Sequence, residues 1–213
     1  MLKCNWLLFC LASVLTVAGT SCSSPFPSAS VLSQIGRAME NASSFTIVPS
    51  MPDDSAKPSP FDVYCAERLA DIIRAGELTS GRSPIPVVVR QGAGEMKPSD
   101  DSTVLIFLKA EEHQLHGEII LNEVILQKNH KLNSQIRVKQ ADKYLTYNFK
   151  TIGSGKISSK GIGPENSEPV KEVNWESFGY PAEPTARLEK FAGECTAAWV
   201  KEIQKQIANA SPK

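Results

Sequence analysis

Glu111-Glu112-His113-Gln114-Leu115-His116 gathers two carboxylates and two imidazoles, the groups best suited to hold a divalent metal or pass a proton. A metal site needs three or four converging ligands, and a helix would be required to bring His113 and His116 onto one face. The stretch falls between two predicted strands, in an expected solvated turn, so no metal is assigned to it. Gly153-Ser154-Gly155-Lys156 has the outline of a phosphate-binding loop. That pattern demands a glycine where Lys150 stands and Ser or Thr where Ile157 stands. No Gly-x-Ser-x-Gly nucleophile elbow occurs. No catalytic residue and no cofactor is assigned.

The cysteines carry more. The chain has five. Cys4 and Cys10 lie in an apolar stretch that follows Lys3, the only charge before Arg37. From Trp6 to Ala18 the run is about 13 residues, short of the ~20 that span a bilayer, and small residues close it at Gly19-Thr20-Ser21. That is the layout of an export signal over residues 1–21, with an uncleaved membrane anchor as the other reading. Cys22 follows directly.

Thr20, Ser21 and Cys22 resemble the lipobox of bacterial lipoproteins, two small residues before the cysteine that is lipid-modified; Gly19 stands where Leu is favoured. The resemblance covers about the first 23 residues and implies acylation at Cys22. Ordinary signal peptidase cleavage between Ser21 and Cys22 also fits the small residues. Ordinary cleavage leaves three cysteines in an oxidising compartment, whereas acylation removes the odd one. Ser23 after the cysteine is similar to outer-membrane lipoproteins of enterobacteria. Residues 22–44 then read as a Ser/Pro-rich tether followed by a short helix.

The remaining two cysteines sit in amphipathic patterns. Ser59-Pro60-Phe61-Asp62 supplies an N-cap, a proline at the first helical position and an acid at the third. Phe61, Cys65, Leu69, Ile72 and Ile73 then share a face. After Pro184, Leu188, Ala192, Cys195, Trp199 and Ile203 form a second 3.6-residue stripe. Each cysteine lies mid-face. Behind an export signal a Cys65–Cys195 disulfide is expected, provided the Cα atoms come within about 7 Å. Two buried reduced thiols are the alternative.

Between these helices the pattern is one of strands: Phe45–Val48, Ile85–Arg90, Thr103–Leu108, Glu118–Gln127, Gln135–Lys139 and Tyr144–Ile152. A turn is expected at Lys128–Lys131 and a long loop from Gly153 to Pro169. A further helix is expected from Val31 to Asn41. The fold class is α+β: one domain, residues 45–210, with a mostly antiparallel sheet of five or six strands covered on one side by two amphipathic helices.

Loss of the signal removes only Lys3 from a balance of 23 basic and 23 acidic residues, which argues against a nucleic-acid partner. Charge is nonetheless segregated. From Val124 to Gly163 there are eight cations and one acid, Asp142. Strand alternation sets Arg137 and Lys139 on one face, with Thr146, Asn148 and Lys150. Those five form a candidate surface for an anionic partner, whether glycan, lipid headgroup or acidic protein. Lysines guarding an exposed strand give the competing explanation. The expectation is an envelope lipoprotein at the outer membrane facing the periplasm, held by its lipid and working as a binding, accessory or scaffold protein. The alternatives are an enzyme acting on an envelope polymer and a secreted effector without lipid.

Overall fold

A computed structural model describes residues 29–78, 85–90, 96–120, 123–160 and 172–210. The export signal, Cys22 and the tether lie outside these residues. The elements in chain order are α1 (Ala29–Asn41), β1 (Ser44–Val48), α2 (Pro60–Arg74), β2 (Val87–Val89), β3 (Thr103–Ile120), β4 (Glu123–Gln140), β5 (Lys143–Lys160), a 3-10 turn at Trp175–Phe178 and α3 (Pro184–Ala210). They build one α+β fold around a five-stranded sheet of order β2-β1-β3-β4-β5. β1 runs parallel to β2 and β3. β3, β4 and β5 form a long antiparallel meander that makes the sheet mostly antiparallel.

The helices cover one face. Side chains from α1, α2 and α3 join Phe45, Ile47, Ile106, Leu132, Ile136 and Phe149 in a single core. α1 joins the two expected covering helices as a third, and Gly36 explains how. A Cβ on Gly36 would lie 2.5 Å from Ile207, so only glycine lets α1 and α3 approach this closely. Trp199, fully buried in α3, donates from Nε1 to Ser134 Oγ at 2.8 Å, and the Ser134 hydroxyl in turn donates to the Phe149 carbonyl at 3.1 Å. That relay satisfies the polar atoms that the indole brings into the core.

α2 begins as its sequence foretells. Ser59 caps the Asp62 amide, and Asp62 returns the bond to the Ser59 amide at 2.8 Å. Asp62 does one thing more. Its Oδ1 accepts from the Ala110 amide at 2.7 Å. Ala110 stands at a register shift between Ala110 and Glu112, a bulge in β3. The carboxylate thus takes up a backbone donor where the ladder is interrupted.

The meander is longer than its sequence suggested. The strand expected at Glu118–Gln127 is instead the end of β3 and the start of β4. Lys128–Lys131 lies in mid-strand rather than in a turn. The histidines are likewise in β3, not in a solvated turn. β5 runs through Gly153 and Gly155 to Lys160, where a loop was expected. The reason is visible in the burial of β4, where Leu126, Leu132, Ser134, Ile136 and Val138 alternate with polar residues along one strand. Gly153 fits because the His130 ring fills its place; a Cβ there would fall 2.1 Å from Cε1.

Candidate binding surface

Cross-strand register assembles the face opposite the helices row by row. Arg137 sits between Leu105 and Thr146, Gln135 between Phe107 and Asn148, Asn133 between Lys109 and Lys150. Further along, Lys131 lies between Glu112 and Ile152, Asn129 between Gln114 and Ser154, and Gln127 between His116 and Lys156. The central strand therefore presents a column of amides and cations. The bulge makes this possible. Before it, even-numbered residues of β3 face the helices; after it, odd-numbered ones do. It turns Glu112 outward onto the polar face, beside Glu111, and His113 inward.

Arg137, Lys139, Thr146, Asn148 and Lys150 all lie on this face, in neighbouring positions of two paired strands. Their charges are not equally available. Arg137 donates through Nε to Gln135 at 2.6 Å and through Nη1 to the Met96 carbonyl at 3.1 Å, and its guanidinium lies 5.0 Å from the Phe107 ring centre. It seals a small apolar cluster of Val48, Leu105 and Phe107. Lys150 reaches Glu111 at 3.1 Å, and Lys131 and Asn133 bind the same carboxylate. These contacts, Lys131 foremost, hold the Glu111 carboxyl down at about 2. Lys109 is paired with Asp54. Lys139, Lys143 and Lys156 have no partner among the described residues. Glu111 as internal counter-ion was missed because its side chain was placed in a turn. The alternation from Leu132 to Val138, in phase with Val124 and Leu126 across the polar run between them, was the signal that would have corrected this.

The other side of the meander carries a pocket of about 210 Å³ lined by Lys128, His130, Gly153, Phe191, Glu194 and Cys195. Glu194 accepts from Lys128 Nζ at 3.0 Å and from the Tyr180 hydroxyl at 2.5 Å. Burial, aided by Glu194, pushes the Tyr180 phenol well above its usual range. His130 packs its ring edge-on to Phe191, and its buried Nε2 has no hydrogen-bond partner among the described residues. Desolvation lowers its pKa.

His113 stacks on Phe61, with ring centroids 4.2 Å apart, whereas His116 is on the opposite face of the same strand. Three residues apart in a strand, they do not converge. No cluster of three metal-ligating side chains occurs among the described residues. Gly153–Lys156 lies within β5 and forms no loop.

Cys65 and Cys195 meet in the α2–α3 interface, both fully buried. The expected bridge is not formed in this structure: both are free thiols, and Cys65 Sγ points to the Ala192 carbonyl, 3.9 Å away, one turn before Cys195. Burial pushes the Cys65 thiol up to about 12, and Cys195 rises further, with Cys65 as its second-largest influence.

No family model matches the chain, and no curated protein matches it. Solved structures do. One is a candidate lipoprotein from Caulobacter crescentus, 10% identical, covering 83% of this chain and 98% of its own at a TM-score of 0.37. A hypothetical protein from Chlamydia trachomatis is 6% identical, covering 78% and 98%, with a TM-score of 0.39. A candidate neuraminyllactose-binding hemagglutinin homolog from Helicobacter pylori is 12% identical, covering 80% and 87%, with a TM-score of 0.35. No described helix is long and apolar enough to cross a membrane.

Proposed function

We propose that this chain is an envelope lipoprotein, anchored through Cys22, that works by binding an anionic partner on the open face of its β3–β5 meander. One observation carries the reading: the central strand presents an uninterrupted polar column, Gln127, Asn129, Lys131, Asn133, Gln135 and Arg137, on the side away from the helices. The engaged pairs around Glu111 and Arg137 stiffen that surface. Lys139 and Lys156 supply charge without internal partners on it, and Thr146 and Asn148 supply exposed hydrogen-bonding groups. Side chains held in this way lose little entropy when a ligand settles on them.

The test is titration of the full chain with polyglutamate at rising salt. Binding is expected to weaken with salt, and to drop about tenfold when Lys139→Glu is combined with Asn148→Ala. No binding at low salt, or binding indifferent to both substitutions, would overturn the reading.

A further inference from the structure

β5 ends the sheet, so one of its two edges has no strand beside it among the described residues. Edge strands normally carry a device that prevents pairing with a foreign chain: a proline, a bulge, a short length or a protruding lysine. β5 is 18 residues long. It contains no proline, and its register with β4 runs from Lys143 to Lys160 without a shift. Its central lysine does not protrude as a guard, because Lys150 is drawn across the face to Glu111. Between Lys143 and Lys156 the edge therefore presents twelve residues without a free charge, several of them β-prone, such as Tyr144, Thr146, Tyr147, Phe149 and Ile152. Ile152 is 71% exposed and Tyr144 45%.

We infer that this edge receives an extended acidic segment of another protein as a sixth strand. The inference rests on the binding reading above and names the partner's chemistry. Backbone N–H and C=O groups of the edge supply the affinity, as in other strand-addition complexes. The two flanking lysines supply the selectivity. They are about 13 residues apart, so a matching strand carries carboxylates roughly 43 Å apart. Lys143 and Lys156 also point to opposite faces of the sheet, as residues separated by an odd number must. Carboxylates at the same spacing on the added strand share that disposition. A second copy of this chain is the poorer match: β5 contains neither Asp nor Glu, so self-pairing along this edge would bring no carboxylate to Lys143 or Lys156.

The experiment is hydrogen exchange by mass spectrometry on the full chain in detergent. Two probes are used: a peptide of about fourteen residues in all, Thr and Val alternating between a Glu at each end, and the same peptide with Lys at each end. The Glu-ended peptide is expected to slow exchange of residues 144–155 about tenfold, and the Lys-ended peptide to leave it unchanged. Combining Lys143→Glu with Lys156→Glu reverses the preference. That reversal also shows the variant is folded. Equal protection by both peptides, or protection by neither, overturns the inference. Protection that grows with protein concentration and no peptide assigns the edge to a second copy and overturns it too. If polyglutamate binds in a way that depends on Lys139 and Asn148 while β5 stays unprotected, strand addition fails and the open-face reading stands.

Discussion

His130 and the cysteine pair show what single side chains contribute. The imidazole is enclosed by Phe191 and the backbone at Gly153, with Lys128 and Glu194 lining the same pocket. Its folded pKa lies below the ordinary value of 6.5. The unfolded chain therefore takes up the proton first as pH falls. Stability from this group is complete above the unfolded value and declines as pH drops from there toward the folded value. A His130→Gln variant is expected to lose that part of the acid dependence, read as the slope of the urea midpoint against pH. An unchanged slope would refute it. Cys65 and Cys195 are expected to be oxidised in protein recovered from the envelope. The non-reduced intact mass would then be two daltons lower than the reduced one. A bridge closing a loop of about 130 residues stabilises by up to roughly 4 to 5 kcal/mol. With its pKa at about 12, the buried Cys65 thiol has almost no reactive thiolate in the folded state. The bond is therefore expected to form before α2 and α3 close on each other. Recovery of two thiols that can be alkylated only after unfolding would disprove the pairing.

At the level of elements, the start of α2 and the bulge in β3 are one device. Ser59→Ala removes a cap and is expected to cost about 1 kcal/mol. Asp62→Ala is expected to cost more, since it also strands the Ala110 amide, a loss of about 1–3 kcal/mol by itself. Urea unfolding of both variants checks the order, and equal losses would remove the bulge from the account. The same region marks how much of the architecture could be read from sequence. α2 was legible to its first residue because a cap, a proline and an acid signal the same start. α3 was legible because its stripe is long. The meander was misread where local signals were polar. Lys128-Asn129-His130-Lys131 has the composition of a turn, yet cross-strand partners on both sides hold it extended. Gly153 suggested a loop, but its missing side chain accommodates a neighbour's ring. The candidate surface was legible as a face, because alternation survives from Ile136 through Lys150. Its electrostatics were not, because Glu111 reaches Lys131 and Lys150 only across strands, at separations that local patterns do not encode.

For the whole molecule, the proposed anchor and the proposed binding face occupy different parts of the chain. Cys22 precedes the helical layer, and the polar face lies on the other side of the sheet. A lipid at Cys22 is expected to add the mass of a diacylglyceryl group and a further acyl chain to the mature protein, visible by intact mass. A mature form without added mass would leave the domain's binding surface intact but place the protein among secreted ones.

The length of β3, β4 and β5 has a mechanical side. The chain enters the sheet from α1 at Ser44, beside Thr103 and the hairpin that joins β4 to β5. A load applied at the far end of β5, against a protein fixed at its N-terminus, runs along the strands. The rungs between β3, β4 and β5 then bear it together in shear instead of parting one at a time. A plate of this kind resists such a load through many weak bonds acting at once.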